Sequence, residues 1–429
     1  MAKNSEQFFI HPRQLRVGIY VHLDLSWMQH PFPLSHFKIK DEAQIRTIQA
    51  LGLQQVRYDP VRSDCQPLPL SGEVPEPQPI PTVTQDTEPV KAEPRKERVK
   101  RLNYAFRECE KHFLKATHDA RRALHNINTS PQQAAAEAEA LVIEMVNSAL
   151  TEGDVVIHAM DGSRVGDDTY FHPLNTTVLA IMLAKSLNMS DEDARQLGLA
   201  ALFHDAGKHE IPSSILMNTG ELSRSELVML QHHCELSASK VLEAGLPERV
   251  SQIIYQHHEL ADGTGYPAHL KGDSIDPLAR ALAMVNAYDN LCNPANLADA
   301  MTPYSALSHM FSNNRKKYDI SMLNTFIKAL GVYPPGSIVQ LSDGVYGIVV
   351  SVNPQKLLKP LVMVYDRKIA RELPDIVDLG EVTDTSISKC LHVSQLPKDA
   401  ADYLRCRQRL SYYYSRAREG SESHEGAAA

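Results

Sequence analysis

The sequence predicts a mainly α protein, with a helical bundle core, a small α+β module before it and a small β-rich extension after it. Three observations carry that reading. Long stretches in the middle of the chain place apolar residues at three- and four-residue spacing, the period of a helix. A segment near the start alternates apolar and polar residues, the period of a half-buried strand. The last third changes to short β-branched runs interrupted by a Ser-Asp-Gly turn. At 429 residues and 43% hydrophobic content the chain exceeds one ordinary domain and is long enough to bury a sizeable core.

In chain order, residues 8–62 hold the segments RQLRVGIYVHLDL and LQQVRYD around the single tryptophan, Trp27, with DEAQIRTIQALG between them at helical spacing and stopped by Gly52. They read as a small α+β module with no cluster of catalytic residues. Residues 66–97 form a linker whose part from Gln66 to Pro94 is dense in Pro, Glu and Thr; proline removes backbone donors and favours extended chain. Residues 98–139 read as connecting helices, with Ser130 as an N-cap and Pro131 at the first helical position. Residues 140–332 carry helical patterns such as LNTTVLAIMLAKSLNM and DARQLGLAALFHDAGKH. Residues 333–412 read as strands, PPGSIVQLSDGVYGIVVSVN and KPLVMVYDRKI among them. The tail, 416–429, is too polar and simple to pack and is expected to be disordered.

Composition removes several function classes. With 44 Lys+Arg against 52 Asp+Glu the net charge is -8, which gives no electrostatic support for sequence-independent binding to duplex DNA. No run of about 18 apolar residues appears, so no membrane span is expected. MAKNSEQFFIHPRQL lacks the apolar core of a secretory signal. The 6 cysteines are scattered without a C-x-x-C pair, which reads as reduced thiols in a cytoplasmic protein. What stands out is the 19 histidines, many of them in the middle third.

Five pieces there carry chemistry: Asp168 to His172 (DTYFH), His204-Asp205-Ala-Gly-Lys208, His232-His233, His257-His258-Glu259, and Asn286-Ala-Tyr-Asp289. Imidazole nitrogen and carboxylate oxygen suit first-row divalent metals, and one bridging carboxylate can hold two of them. An ionised aspartate inside the apolar helix ALAALFHDAGK is costly unless it is paired or metal-bound. Any one of these histidines alone reads as an ordinary core or surface residue, and His232 keeps that reading because a helix neighbour points about a quarter-turn away. The set does not. Three His-rich pieces about 25 to 30 residues apart on successive helices argue for one convergent metal site. The segment Asp262-Gly263-Thr264-Gly265-Tyr266-Pro267 follows directly, and its two glycines let the backbone turn tightly as a wall of that pocket.

H-D-x-G-K, a further spaced histidine, then H-H-E-x-x-D-G-x-G-Y-P resembles the HD-GYP family, a branch of the HD metal-dependent phosphohydrolases, over roughly residues 140 to 330. The resemblance implies an HD-type helical bundle. It also implies a cyclic di-GMP phosphodiesterase of bacterial signalling, with two or three divalent metal ions, iron or manganese, and a bearing on motility and biofilms. The small module ahead of it is similar to those preceding such domains in bacteria and transfers no activity. Carried over by position, His172, His204 and Asp205 are expected to hold a first metal, and Asp205, His233, His257 and His258 a second. Asp168 stands where members with a third metal carry a carboxylate. Lys208 matches a lysine suited to stabilising a phosphate oxygen, so Asp205 and Lys208 are the expected catalytic pair. Gly265, Tyr266 and Pro267 are expected on the guanine side, with Tyr266 stacking or hydrogen-bonding there.

The chain departs from the family at two places. Asn286 stands where the family has an aspartate ligand, replacing an anionic donor by an amide oxygen; Asp289, three residues on, is not expected to point inward in its stead. The basic residues that follow that motif in the family are replaced by NPANLADAM, which leaves Lys271, Arg280, Arg315 and Lys317 as candidates to grip phosphate. The expected reaction is hydrolysis of cyclic di-GMP to pGpG, with a second turnover to GMP left open by the resemblance. Rival readings are an HD enzyme for another cyclic dinucleotide, a catalytically weak cyclic di-GMP receptor, and an interaction protein recruiting a diguanylate cyclase of the GGDEF type.

Overall fold

A computed structural model of the chain describes residues 8–23, 36–69 without 52 and 54, 95–150, 155–161, 170–352 without 219, 356–369, 374–406 without 383, and 409–416. Its contacts divide into two compact units, Met1–Pro94 and Arg95–Ala429. Trp27, most of the Pro-rich linker, Asp168 and residues 417–429 lie outside the described residues.

The first unit holds β1 (Phe8–Ile10), β2 (Tyr20–His22), β3 (His36–Lys38), α1 (Glu42–Ala50) and β4 (Val56–Asp59). The strands form one antiparallel sheet in the order β1-β4-β2-β3. Asp41 caps α1 by accepting the Gln44 N–H at 2.9 Å, and Ile45 and Ile48, one turn apart, pack on Ile19, Val21, Ile39 and Val56. β2 and β4 fall in the segments read as strands and α1 in the one read as a helix. β1 and β3, at 3 residues each, fall outside the two segments read as strands.

The second unit begins with α2 (Arg95–Asn126) and α3 (Pro131–Leu150), then β5 (Val155–Asp161). Next come α4 (Phe171–Ser186), α5 (Asp191–Phe203), α6 (Ser213–Leu216), α7 (Arg224–Gln231), α8 (His233–Glu243), α9 (Glu248–Tyr255), α10 (Pro277–Cys292), α11 (Pro303–Ser312) and α12 (Ile320–Leu330). Then follow β6 (Ile338–Leu341), β7 (Tyr346–Ser351), β8 (Leu361–Val364), β9 (Asp375–Asp378), β10 (Ile387–Cys390), α13 (Lys398–Tyr403) and β11 (Leu410–Arg416). α4 is apolar all round and buried from Pro173 to Ala184, the pattern of a central helix; α3, α5, α10 and α12 pack around it. Side-chain caps start the surrounding helices: Ser190 for α5, Ser223 with Glu226 for α7, Asp276 with Pro277 for α10, Thr302 for α11 and Asp319 for α12. Among the described residues no helix is long and apolar enough to cross a membrane.

The β region departs from the sequence reading in one respect. The Ser-Asp-Gly turn does join β6 to β7, with Gly344 at φ +87° and Asp343 accepting the Val345 N–H at 3.0 Å. The sheet, however, is not confined to the last third. Its order is β10-β6-β7-β5-β11, with β8 on β7 and β9 on β8, so a strand from 155–161 lies inside it. β11 pairs along the whole of β5, from Leu410 opposite Asp161 to Arg416 opposite Val155. Arg416 therefore belongs to a strand rather than a tail. A single seven-residue segment between helical stretches carried too little pattern to be separated from them.

Candidate metal centre

Three of the expected histidines are held the same way at one ring nitrogen. His204, at the end of α5, has Nδ1 2.8 Å from the Ala201 carbonyl; His233, at the start of α8, has Nδ1 2.6 Å from that of Leu230; His257, after α9, has Nδ1 2.6 Å from that of Ile254. A carbonyl only accepts, so each Nδ1 carries the hydrogen and donates it to the carbonyl three residues before it, at a helix end. Nε2 is then a bare lone pair. His172, in the first turn of α4, reaches the same state by bonding Nδ1 to Asp289 Oδ2 at 2.6 Å.

These lone pairs converge on Asp205, whose side chain is 14% exposed. Asp205 Oδ2 lies 3.4 Å from His204 Nε2 and 3.8 Å from His172 Nε2, while Oδ1 lies 3.5 Å from His233 Nε2 and 3.9 Å from His257 Nε2. The Nε2 atoms of His172 and His204 are 3.1 Å apart, and those of His233 and His257 are 3.4 Å apart. Facing lone pairs repel, and the buried Asp205 Oδ1 has no hydrogen-bond partner. A divalent cation answers both deficits at once, so the donors present fit a metal. They fall into two sets able to hold one ion each: His172, His204 and Asp205, and Asp205, His233, His257 and His258. Asp205 is common to both.

The electrostatics match that use. Burial pushes His204 down to about 4 and His257 and His258 well below the ordinary imidazole value, with His233 lowered in the same direction. Burial alone would raise Asp205, but His204, Lys208, His172 and His233 together hold its carboxyl well below the usual range. Neutral imidazoles around an anionic carboxylate are the protonation states that metal binding requires.

A family model described as an HD domain matches residues 142–322, which hold both donor sets. The chain carries an HD domain. A second family model, a domain of unknown function (DUF3391), matches residues 8–138. Among curated proteins, the chain is 29% identical over 378 residues to the cyclic di-GMP phosphodiesterase PA4108 of Pseudomonas aeruginosa, covering 87% of this chain and 89% of that one. The cyclic di-GMP phosphodiesterase response regulator RpfG of Xanthomonas campestris is 30% identical over 35% of this chain and 40% of its own. The 3′3′-cGAMP-specific phosphodiesterase 3 of Vibrio cholerae is 28% identical over 52% of this chain and 46% of its own. Among solved structures, the HD-GYP-type protein Bd1817 of Bdellovibrio bacteriovorus matches with a TM-score of 0.39 and 16% identity, over 75% of this chain and 98% of that one.

In the HD domain the loop after the paired histidines is clamped against them. Tyr266 stacks on His258 with ring centroids 4.6 Å apart, donates its N–H to the His258 carbonyl at 3.1 Å, and joins Pro267 through a cis peptide. A side chain at Gly265 would meet the His258 carbonyl oxygen and Leu260 nitrogen at 2.4 Å, so only glycine allows this approach. Glu259, 1% exposed, accepts the N–H of Ala268 at 2.6 Å and of Leu270 at 2.9 Å, fixing the far side of the loop. Gly207 does the same for the H-D-A-G-K turn: it donates to Ser237 Oγ at 2.8 Å, and no Cβ fits there.

The remaining expectations fare unevenly. Lys208 Nζ bonds Asp205 Oδ2 at 2.6 Å, at the edge of the donor sets. His232 sits outside them, half-exposed and 3.0 Å from Glu235. Arg280 spans Asp273 and Asp319, 3.1 Å from each, and Lys271 lies along Gly263, so Arg280 is already neutralised by two carboxylates. Arg315 stacks over Phe311, while Lys317 accepts the Ala261 N–H through its carbonyl at 2.8 Å. Asp168 lies outside the described residues, so the third-metal position has no geometry.

Asn286 is buried, and its Oδ1 accepts from Asn290 Nδ2 at 2.7 Å. Asp289 corrects the expectation that it points away: it is fully buried and holds His172. Three residues of helix turn the chain by about 300°, which leaves the two side chains only about 60° apart on one face. Sequence reading also missed Asn175 and Asn293, both bonded to Asp289. Their signal was local: Asn175 is three residues after His172 and Asn293 four after Asp289, each one turn along the same helix face.

Proposed function

We propose that this chain is a metal-dependent phosphodiesterase of the bacterial cytosol that hydrolyses cyclic di-GMP to pGpG and then to GMP. The observation that carries the reading is the single carboxylate, Asp205, shared by two sets of imidazole lone pairs whose protons are held elsewhere. Two ions, iron or manganese, would be held by His172, His204 and Asp205 and by Asp205, His233, His257 and His258. Such ions supply hydroxide at neutral pH and Lewis-acid stabilisation of a phosphate oxygen.

The chain's own residues do the rest. Asp205 sets the spacing of the two halves. The i−3 carbonyls keep three of the imidazoles in one tautomer and stop the rings from turning. Lys208, 38% exposed beside Asp205, presents an ammonium to charge that develops on the non-bridging phosphate oxygens. The Gly265-Tyr266-Pro267 segment walls the pocket beside His258. One water adds across a P–O3′ bond, leaving a 5′-phosphate and a free 3′-hydroxyl.

Support for the substrate class comes from relatives named cyclic di-GMP phosphodiesterases. A second reading, a mixed guanine–adenine cyclic dinucleotide, is favoured by relatives named 3′3′-cGAMP-specific. Anaerobic reconstitution with Mn(II) or Fe(II), followed by chromatography of products from cyclic di-GMP and 3′3′-cGAMP, separates them, with Asp205→Ala as control. Release of pGpG and GMP that vanishes in the variant is the expected result. Turnover of cGAMP alone would replace the substrate. Metal and ligand bound without product would make the chain a receptor, with Asn286 the first residue to restore to aspartate.

A further inference from the structure

Residues 410–416 lie outside the HD domain match, yet a continuous set of hydrogen bonds joins them to its metal centre. Asp289 places Oδ2 against His172 Nδ1 at 2.6 Å and gives Oδ1 to two amides, Asn175 Nδ2 at 3.0 Å and Asn293 Nδ2 at 2.9 Å. The second hydrogen of each amide goes to the same acceptor, the Leu410 carbonyl, at 2.9 Å. The amide oxygens accept in turn from the strand: Asn293 Oδ1 from Leu410 N–H at 2.8 Å and Asn175 Oδ1 from Tyr412 N–H at 3.1 Å. Both hydrogens and the oxygen of two buried asparagines are thus engaged between β11 and Asp289.

Packing alone would not ask for this pair of residues. An apolar side chain at 175 or 293 would leave backbone groups of β11 and one lone pair of a buried carboxylate unpaired, and an aspartate would offer no hydrogens to either. The strand is also fixed independently of the amides. It pairs along β5, Tyr412 Oη lies 3.3 Å from Tyr288 Oη, and Tyr414 Oη donates to the Met145 carbonyl at 2.6 Å. Leu410 fills the space beside Gly336, where a Cβ would stand 2.5 Å from Leu410 Cδ2.

We propose that β11 is a positioning element of the metal centre: its backbone at Leu410 and Tyr412 orients Asn175 and Asn293, these hold Asp289, and Asp289 fixes the ring of His172. The proposal rests on the two-metal reading above. It carries an asymmetry. His172 serves only the first donor set, whereas His233 and His257 of the second set are oriented by the backbone carbonyls three residues before them, Leu230 and Ile254. Loosening the β11 connection should weaken one metal and spare the other.

The test uses the full chain and Mn(II) titrated against a chromophoric chelator, with melting curves in parallel. Asn293→Asp and Asn175→Asp keep the size and one acceptor but remove the donor hydrogens and set a second carboxylate against Asp289. Each is expected to retain one class of bound ion at wild-type affinity and to lose about 10- to 100-fold in the other, the range for residues that orient a ligand. Turnover should fall at limiting Mn(II) and recover at high Mn(II), with KM for the dinucleotide unchanged. Tyr414→Phe, which loosens the same strand without touching the amides, should lower the melting temperature and leave both classes intact. Asparagine variants that bind both ions normally, or that lose both equally in step with Tyr414→Phe, overturn the proposal. A wild-type chain that binds no Mn(II) overturns the two-metal reading itself, a result visible before any variant is made.

Discussion

Gly207 lies against Ser237 so closely that a methyl group at 207 would stand 2.6 Å from the Ser237 backbone nitrogen and 2.7 Å from the His233 carbonyl oxygen. The turn that carries Asp205 and the helix that carries His233 are therefore spaced by the absence of a side chain. Gly207→Ala must push α8 away, because both obstacles are backbone. Overpacking of this kind costs about 1 to 3 kcal/mol. A lowered unfolding midpoint together with weaker Mn(II) binding is expected in urea titration and metal analysis, and an unchanged midpoint would show that the turn yields instead.

Adjacent histidines should behave oppositely. His233 is buried among the donors, while His232 faces solvent beside Glu235. His233→Ala should lose bound metal and at least about 100-fold in turnover, in line with the removal of a ligand or its support, whereas His232→Ala should stay within about twofold because an exposed pair contributes little. Metal content by mass spectrometry on the two proteins decides it.

Glu259→Gln isolates the loop. The carboxylate accepts two backbone N–H groups, from Ala268 and Leu270. A glutamine offers one oxygen and turns an N–H toward the other donor, at a cost of about 1 to 3 kcal/mol. The loop from Asp262 to Gly272 should become cleavable by added protease and KM for the dinucleotide should rise, while metal content stays at two sets. Unaltered proteolysis would remove Glu259 from the account of the pocket wall.

Acid should destabilise the metal-free chain in a defined window. His204, pushed down to about 4 by burial, and His257 and His258, driven well below the ordinary imidazole value by the same cause, are neutral in the folded state, whereas unfolded imidazoles take up protons near 6.5. The unfolded state binds more protons between those values, so stability is fully present above pH about 6.5 and falls as the pH drops toward 4. His204 alone accounts for about 3 kcal/mol across that range. Asp205, also depressed, extends the loss to lower pH. Melting temperatures of chelator-treated protein between pH 7.5 and 4.5 should decline steadily, and Mn(II) should raise them at pH 7.5 but not at 4.5, where protons compete for the ligands. A flat profile would mean that the imidazoles are solvated.

Much of the centre was legible in the chain because its chemistry is local. His204 and Asp205 are neighbours, each of His204, His233 and His257 lies by a helix end and is held by the carbonyl three residues before it, and Gly265 and Glu259 sit within one loop of His258. Helical periodicity and residue chemistry report such arrangements directly. Asp289 differs from the sequence expectation because a three-residue step along a helix returns to nearly the same face as Asn286.

The residues thus declare by themselves a helical, histidine-rich metal site with a glycine-walled loop. They did not declare that a strand at 155–161 joins the C-terminal sheet, that Arg280 is already paired, or that Leu410 reaches Asp289 through Asn175 and Asn293. The reason is physical. Side-chain amides bonded to the backbone of a strand 235 and 117 residues further along the chain impose no spacing and no hydrophobic period. Only folding, which brings α4, α10 and β11 to one point, turns two ordinary asparagines into supports of a metal centre.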